Sequence, residues 1–185
     1  WGEDGATEAI EITGGNKLKL GNNFSFRPVS STTRWASAVG TVVAHSGDTV
    51  QVSKDASIQA IASGIGTVVT WQTNDEDNQN TIINLGGNEI IPLVPGLYSI
   101  RASVSFDSSV DSSFHSTKIR LNASVVAQKI KRSSGSGPMT VAVEKTVRVN
   151  GTTDSIQVLA QQNTGSNVNL DSSKVVTFFE ITRVG

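Results

Sequence analysis

Two histidines, 16 acidic side chains and no cysteine bound the chemistry open to this 185-residue chain. A Ser-His-Asp arrangement needs a histidine within reach of a hydroxyl and a third group to orient it. His45 lies in Ala44-His45-Ser46-Gly47-Asp48, a strand end entering a turn, and His115 lies in the serine-rich stretch Asp107–Ser116. Both read as surface-loop residues, and no Gly-x-Ser-x-Gly elbow accompanies them. The lack of cysteine removes disulfides, thiol nucleophiles and zinc–thiolate sites together. Paired carboxylates could serve a glycosidase only at a set separation in space, which sequence spacing does not supply. No residue is assigned a catalytic role, and the chain is expected not to be an enzyme.

The densest acidic run is Asp75-Glu76-Asp77-Asn78. A hard cation such as calcium takes several oxygen ligands, which a loop can provide from carboxylates and carbonyls. Asp75 and Asp77 are the metal candidates; the EF-hand spacing is not met, and the plain alternative is a solvated loop. Lys129, Lys131 and Arg132 form a small basic patch before Ser133-Ser134-Gly135-Ser136-Gly137-Pro138, able to touch an anionic glycan or simply to keep a strand end soluble. Exposed aromatics can stack on sugar rings. Trp71, on a strand, reads as buried, whereas Trp35, in a linker, reads as a surface or inter-subunit contact. Asn23, Asn122 and Asn150 fit the glycosylation pattern, but a chain this rich in Asn, Ser and Thr produces such matches by chance.

The elements that must position these residues are strands. The chain holds 24 Ser, 18 Thr and 17 Gly, with Val and Ile leading the apolar set. β-branched residues separated by turn formers favour an all-β fold. A net charge of -1 gives no footprint for nucleic acid, and no apolar run approaches the roughly 18 residues of a membrane span. The longest alternation runs from Leu97 to Phe106, with Tyr98, Ile100, Ala102, Val104 and Phe106 on one face. Val141, Val143, Val147 and Val149 form a second stripe, and Ile156, Val158 and Ala160 a third. Loops are expected at 74–80, 107–116, 133–138 and 163–173. The final strand, 175–184, is apolar on both faces around Phe178 and Phe179, as in a central strand or one covered by another subunit. Short strands fill residues 10–26, and Ser30-Ser31-Thr32-Thr33 reads as a linker. A start at Trp1 rather than Met reads as a fragment or a processed product.

The stretch Ile90-Ile91-Pro92-Leu93-Val94-Pro95-Gly96-Leu97-Tyr98, running on to Phe106, resembles the signature of C1q/TNF-like jelly rolls. There a short strand enters a Pro-Gly-hydrophobic-Tyr turn and then a long alternating strand. Lys118 to Ala123 resembles the next strand, with Ala123 where the family usually has the Gly of an Asn-Gly turn. Thr177 to Val184 resembles the closing strand. The resemblance implies a two-sheet jelly-roll sandwich over residues 65–185 that forms a homotrimer, with its first and last strands near the threefold axis. Phe178, Phe179 and Tyr98 are then the expected trimer-interface residues, and calcium at Asp75 and Asp77 is the one cofactor in view. Residues 1–64 are expected to form a short-stranded β attachment or stem region.

The sequence holds no Gly-X-Y stalk, which speaks against the animal complement-type arrangement; because phage and bacterial fibres often end in such heads, the expectation is the distal head of a trimeric fibre or spike on a phage or virus particle. It would be a structural protein of the virion surface that attaches to a host surface receptor, a glycan or a protein. The expected contact residues are Asn74, Asp75, Asp77, Asn78, Ser109, Asp111, His115, Ser134, Ser136, Asn163 and Asn167. The N-terminal region would join fibre-shaft or other virion proteins. A bacterial surface adhesin and a capsid decoration protein are the alternatives.

Overall fold

The structure is a computed structural model and describes residues 49–55, 57–77 and 88–184, all within one compact unit. Residues 1–48, with His45, Trp1, Trp35 and the expected short strands, lie outside the described residues, as does Asn78. Eleven strands occur among those described: β1 (Thr49–Ser53), β2 (Gln59–Ile61), β3 (Thr67–Val68), β4 (Thr73–Asp77), β5 (Gly96–Phe106), β6 (Phe114–Leu121), β7 (Ser124–Arg132), β8 (Met139–Val149), β9 (Ile156–Gln162), β10 (Val168–Leu170) and β11 (Phe178–Arg183). No helix is among them, and none is long and apolar enough to cross a membrane.

The strands form two antiparallel sheets. In the larger, β5 lies between β8 and β11, β11 pairs with β1, and β1 with β4; β10 and β2 extend it beyond Phe106. The smaller has the order β3-β9-β6-β7. The core forms between them because the sequence alternates: Tyr98, Ile100, Ala102, Val104 and Phe106 of β5 face Ile156, Val158 and Ala160 of β9 and Ile119 of β6 in one buried cluster. At about 25 cal/mol per Å² of apolar surface, such burial is the main force holding the sheets together.

Several expectations change. β1 and β2 precede residue 64 yet belong to the large sheet: β1 pairs with β11 from Thr49↔Thr182 to Ser53↔Phe178. The sandwich therefore begins no later than Thr49, because its last strand needs β1 to satisfy its outer edge. The expected loop at 74–80 is a strand as far as Asp77, since β4 pairs with β1. The closing strand begins at Phe178, not Val175, with a turn ahead of it.

Strand β11 also resolves its doubly apolar look by alternation. Phe179 is fully buried in the core, and its ring lies 5.9 Å from that of half-buried Trp71. Phe178 points the other way, where the Arg101 guanidinium stacks 5.4 Å from its centre. Tyr98 is fully buried and donates its hydroxyl to the Val94 carbonyl at 2.9 Å. Of the three residues expected at a trimer interface, Tyr98 and Phe179 are thus spent on the core of one chain, and only Phe178 faces outward.

Candidate functional site

The hairpin connections fall at two ends. One end carries the β5–β6, β7–β8 and β9–β10 loops, so three of the four expected contact loops meet there. Residues 107–113 and 133–138 are tied by backbone bonds: Ser112 N–H donates to the Ser133 carbonyl at 3.0 Å and Ser133 N–H to the Ser113 carbonyl at 2.8 Å. The Ser109 hydroxyl bonds the carbonyls of Gly135 at 3.0 Å and Gly137 at 2.8 Å, and the Ser133 hydroxyl bonds Ser109 Oγ at 2.9 Å. The third loop joins through Asn163, whose Oδ1 accepts from Phe114 N–H at 2.6 Å.

This network encloses a cleft of about 380 Å³ lined by Ser109, Lys131, Arg132, Ser133, Ser134 and Ser136, with the glycine backbone of the 133–138 loop. The two cations are exposed on its wall, brought there because β7 ends at Arg132 just before the loop. Among the described residues, no carboxylate lines it. The arrangement offers hydroxyls and positive charge in a concave site, which suits binding of an oxygen-rich anionic group.

The expected contact residues divide. Asp111, Ser134, Ser136, Asn163 and Asn167 are exposed at this end. Ser109 is buried at the lining of the cleft, where its hydroxyl braces the 133–138 loop. His115 is corrected more sharply: β6 starts at Phe114, so the imidazole is the first inward residue of a strand and is fully buried. It packs edge-on to Phe106 with ring centres 4.7 Å apart, and neither ring nitrogen has a hydrogen-bond partner. Desolvation holds its pKa below the usual histidine value; the Ser108 backbone pulls weakly the other way, outside hydrogen-bond geometry. Asn74, Asp75 and Asp77 lie on β4 at the edge of the large sheet, apart from the loop cluster. Asp75 Oδ1 is 4.0 Å from Lys174 Nζ. Among the described residues no three His, Asp or Glu side chains gather as a metal site.

Two of the buried polar residues that escaped the sequence reading hold other segments in place. Gln162 follows Ile156, Val158 and Ala160 at the next inward position of β9, a period-2 signal that could have placed it. Its Nε2 donates to the carbonyls of Ile61 at 2.8 Å and Ser166 at 2.7 Å, and its Oε1 accepts from Thr164 N–H at 2.6 Å, anchoring the β9–β10 loop. Lys54 is fully buried just past β1, with Nζ 3.3 Å from both the carbonyl and the hydroxyl of Thr70, and burial lowers its pKa. No local pattern marks it.

The opposite end is cross-braced among the described residues. Asn150 Oδ1 accepts from the N–H groups of Thr152, Thr153 and Asp154 at 2.9, 3.0 and 3.1 Å. Asp154 in turn accepts from Asn150 N–H at 2.7 Å and from Asn122 Nδ2 at 2.6 Å, and Asn122 Oδ1 accepts from Ser155 N–H at 2.9 Å. Gly151 has φ of +73° and packs so tightly that a Cβ would stand 2.2 Å from the Pro95 nitrogen.

No family model matches the chain, and no curated protein matches its sequence. Solved structures do share its architecture. Eiger TNF from S. frugiperda superposes with a TM-score of 0.58 at 11% identity, over 76% of this chain and 94% of that one. Murine APRIL at pH 5.0 gives 0.58 at 14% identity, over 75% and 99%. The globular domain of zebrafish complement 1qA gives 0.53 at 13% identity, over 75% and 98%. The fold is a C1q/TNF-like jelly roll.

Proposed function

We propose that the chain is a non-enzymatic attachment protein, the head of a homotrimeric fibre or spike on a virion surface, touching its host receptor with the end that carries the cleft. The observation that carries this reading is the convergence of three loops around an open, polar concavity, on a sandwich whose other end is cross-braced by Asn122, Asn150 and Asp154 among the described residues. Loops on a rigid scaffold are where binding residues concentrate. Threefold display would turn weak contacts into avidity.

The outer face of the large sheet supports self-association. Across β1, β11, β5 and β8 it presents the rows Thr49, Thr182, Ser99, Thr146 and Gln51, Glu180, Arg101, Glu144, with Phe178 beside them. Such a face, with a row of short hydroxyl side chains, a row of mixed charges and one aromatic, offers its own copies polar and apolar contacts. Residues 1–48 would carry the link to a shaft or particle.

Light scattering of the full chain on a sizing column tests the assembly, and competition of particle adsorption by the soluble head tests the role. A mass near three times the 19.5 kDa chain, with adsorption blocked, is the expected result. A monomer that binds empty capsids and leaves adsorption untouched would overturn it in favour of capsid decoration; recovery from a bacterial envelope would favour an adhesin.

A further inference from the structure

We infer that the cleft between the β5–β6 and β7–β8 loops binds the carboxylate or sulfate group of an acidic saccharide. The inference narrows the attachment reading to a ligand class and rests on it for its biological setting. Its chemical basis is local. The chain as a whole has a net charge of -1, yet this concavity holds Lys131 and Arg132 with no carboxylate on its lining among the described residues. Neither cation has an ion-pair partner among those residues, in contrast to Lys174, which lies 4.0 Å from Asp75. Asp107 and Asp111 belong to the neighbouring loop but not to the lining.

An unpaired guanidinium offers a planar fork of donors to a carboxylate or sulfate, and a lysine adds a second point charge. Serine hydroxyls are suited to the ring hydroxyls of a sugar because each can donate and accept. The volume of about 380 Å³ lies within the roughly 300–1,000 Å³ of small-ligand sites. The floor is also pre-organised. Ser109 holds the carbonyls of Gly135 and Gly137 from below, so the loop need not be ordered on binding.

The test uses the full chain with three probes, a dextran sulfate oligosaccharide, an oligogalacturonate and neutral dextran, followed by isothermal titration. Arg132→Ala and Lys131→Ala remove the cleft cations; both residues are exposed, so folding should be retained. Lys174→Ala removes a cation elsewhere and serves as the control. The expected result is saturable binding of at least one acidic probe, none of neutral dextran, and an affinity loss of about tenfold for Arg132→Ala with a change under about twofold for Lys174→Ala. The preference between the two acidic probes tells sulfate from carboxylate.

The inference is overturned if neither acidic probe binds at millimolar concentration, if all three variants weaken binding equally, or if neutral dextran binds as well as the charged probes. Host-cell adsorption of the same variants separates the two readings. Adsorption that survives Arg132→Ala, with no acidic probe bound, keeps the attachment head and removes the acidic saccharide, leaving a protein receptor. Cleft-dependent probe binding without any adsorption keeps the site and removes the head.

Discussion

At one end of the sandwich the connections are pinned by Asn122, Asn150 and Asp154, and Gly151 lies against Pro95 with no room for a side chain. At the other, serine hydroxyls tie two loops around an open cleft walled by Lys131 and Arg132. Both ends use side chains to bond backbone groups of their loops. They differ in what remains afterwards: the first end spends its polar side chains internally, whereas the second leaves exposed Ser134, Ser136, Asp111 and Asn167 beyond the network. The proposed contact end thus differs from the scaffold end in where its hydrogen bonds stop.

If the cross-braced end is the scaffold, damage there should be the most costly. Gly151→Ala is expected to lose about 2–5 kcal/mol, combining an unfavourable positive φ with overpacking against Pro95. Urea unfolding would check it, and a loss under about 1 kcal/mol would show that this end yields. At the proposed contact end, Ser109→Ala should cost about 1–2 kcal/mol, since the hydroxyl proton that the Gly135 and Gly137 carbonyls share is lost and the Gly137 carbonyl is left without it. Its sharper signature is faster amide exchange confined to the β5–β6 and β7–β8 loops. Exchange that rises equally at both ends would erase the distinction.

A smaller effect follows from His115, whose folded pKa lies below its unfolded value. The unfolded state then binds more protons, so this contribution to stability is complete above about pH 6.5 and falls as pH drops below that value, by at most about 1.4 kcal/mol per pH unit. The loss stops growing below the folded pKa. Chemical denaturation between pH 8 and 5 should show this limb in the parent and a shallower one in His115→Leu. Identical profiles would mean that the imidazole is hydrated or partnered in solution. Smallest is a gain: the β6–β7 turn holds Asn122 at φ 49° and Ala123 at φ 67°, so Ala123→Gly should add about 1 kcal/mol. A calorimetric melting temperature unchanged or lowered would show that the turn relaxes.

The same contrast governs what the sequence discloses. The stretch Pro95-Gly96-Leu97-Tyr98 carried the resemblance, and the structure shows why it is recognisable: Tyr98 reaches back to Val94 and the turn packs on Gly151, all at the scaffold end. Alternation was equally legible in β5, β8 and β9, because apolar residues recur at every second position, although Ser103, Ser105 and Leu159 on the opposite faces are buried as well. The contact end was legible only as loop positions. His115 looked like part of a serine-rich loop because nothing local says that β6 begins one residue earlier; its inward register with Thr117 and Ile119 is visible only once the strand is extended backward. The two phenylalanines of β11 looked like an interface pair, yet alternation sends one into the core and one outward. The membership of β1 in the sheet depends on pairing with a strand more than a hundred residues away, which short-range patterns do not encode.

The central claim is that contact is made at the cleft end, and the absence of cysteine permits a direct measurement. A single Ser136→Cys or Thr152→Cys, each at an exposed position, can be capped with a bulky maleimide–polymer and tested for adsorption to host cells. The account predicts that the adduct at position 136 abolishes adsorption and the adduct at 152 leaves it intact. Adsorption blocked only by the adduct at 152 would place the contact at the cross-braced end and contradict the account.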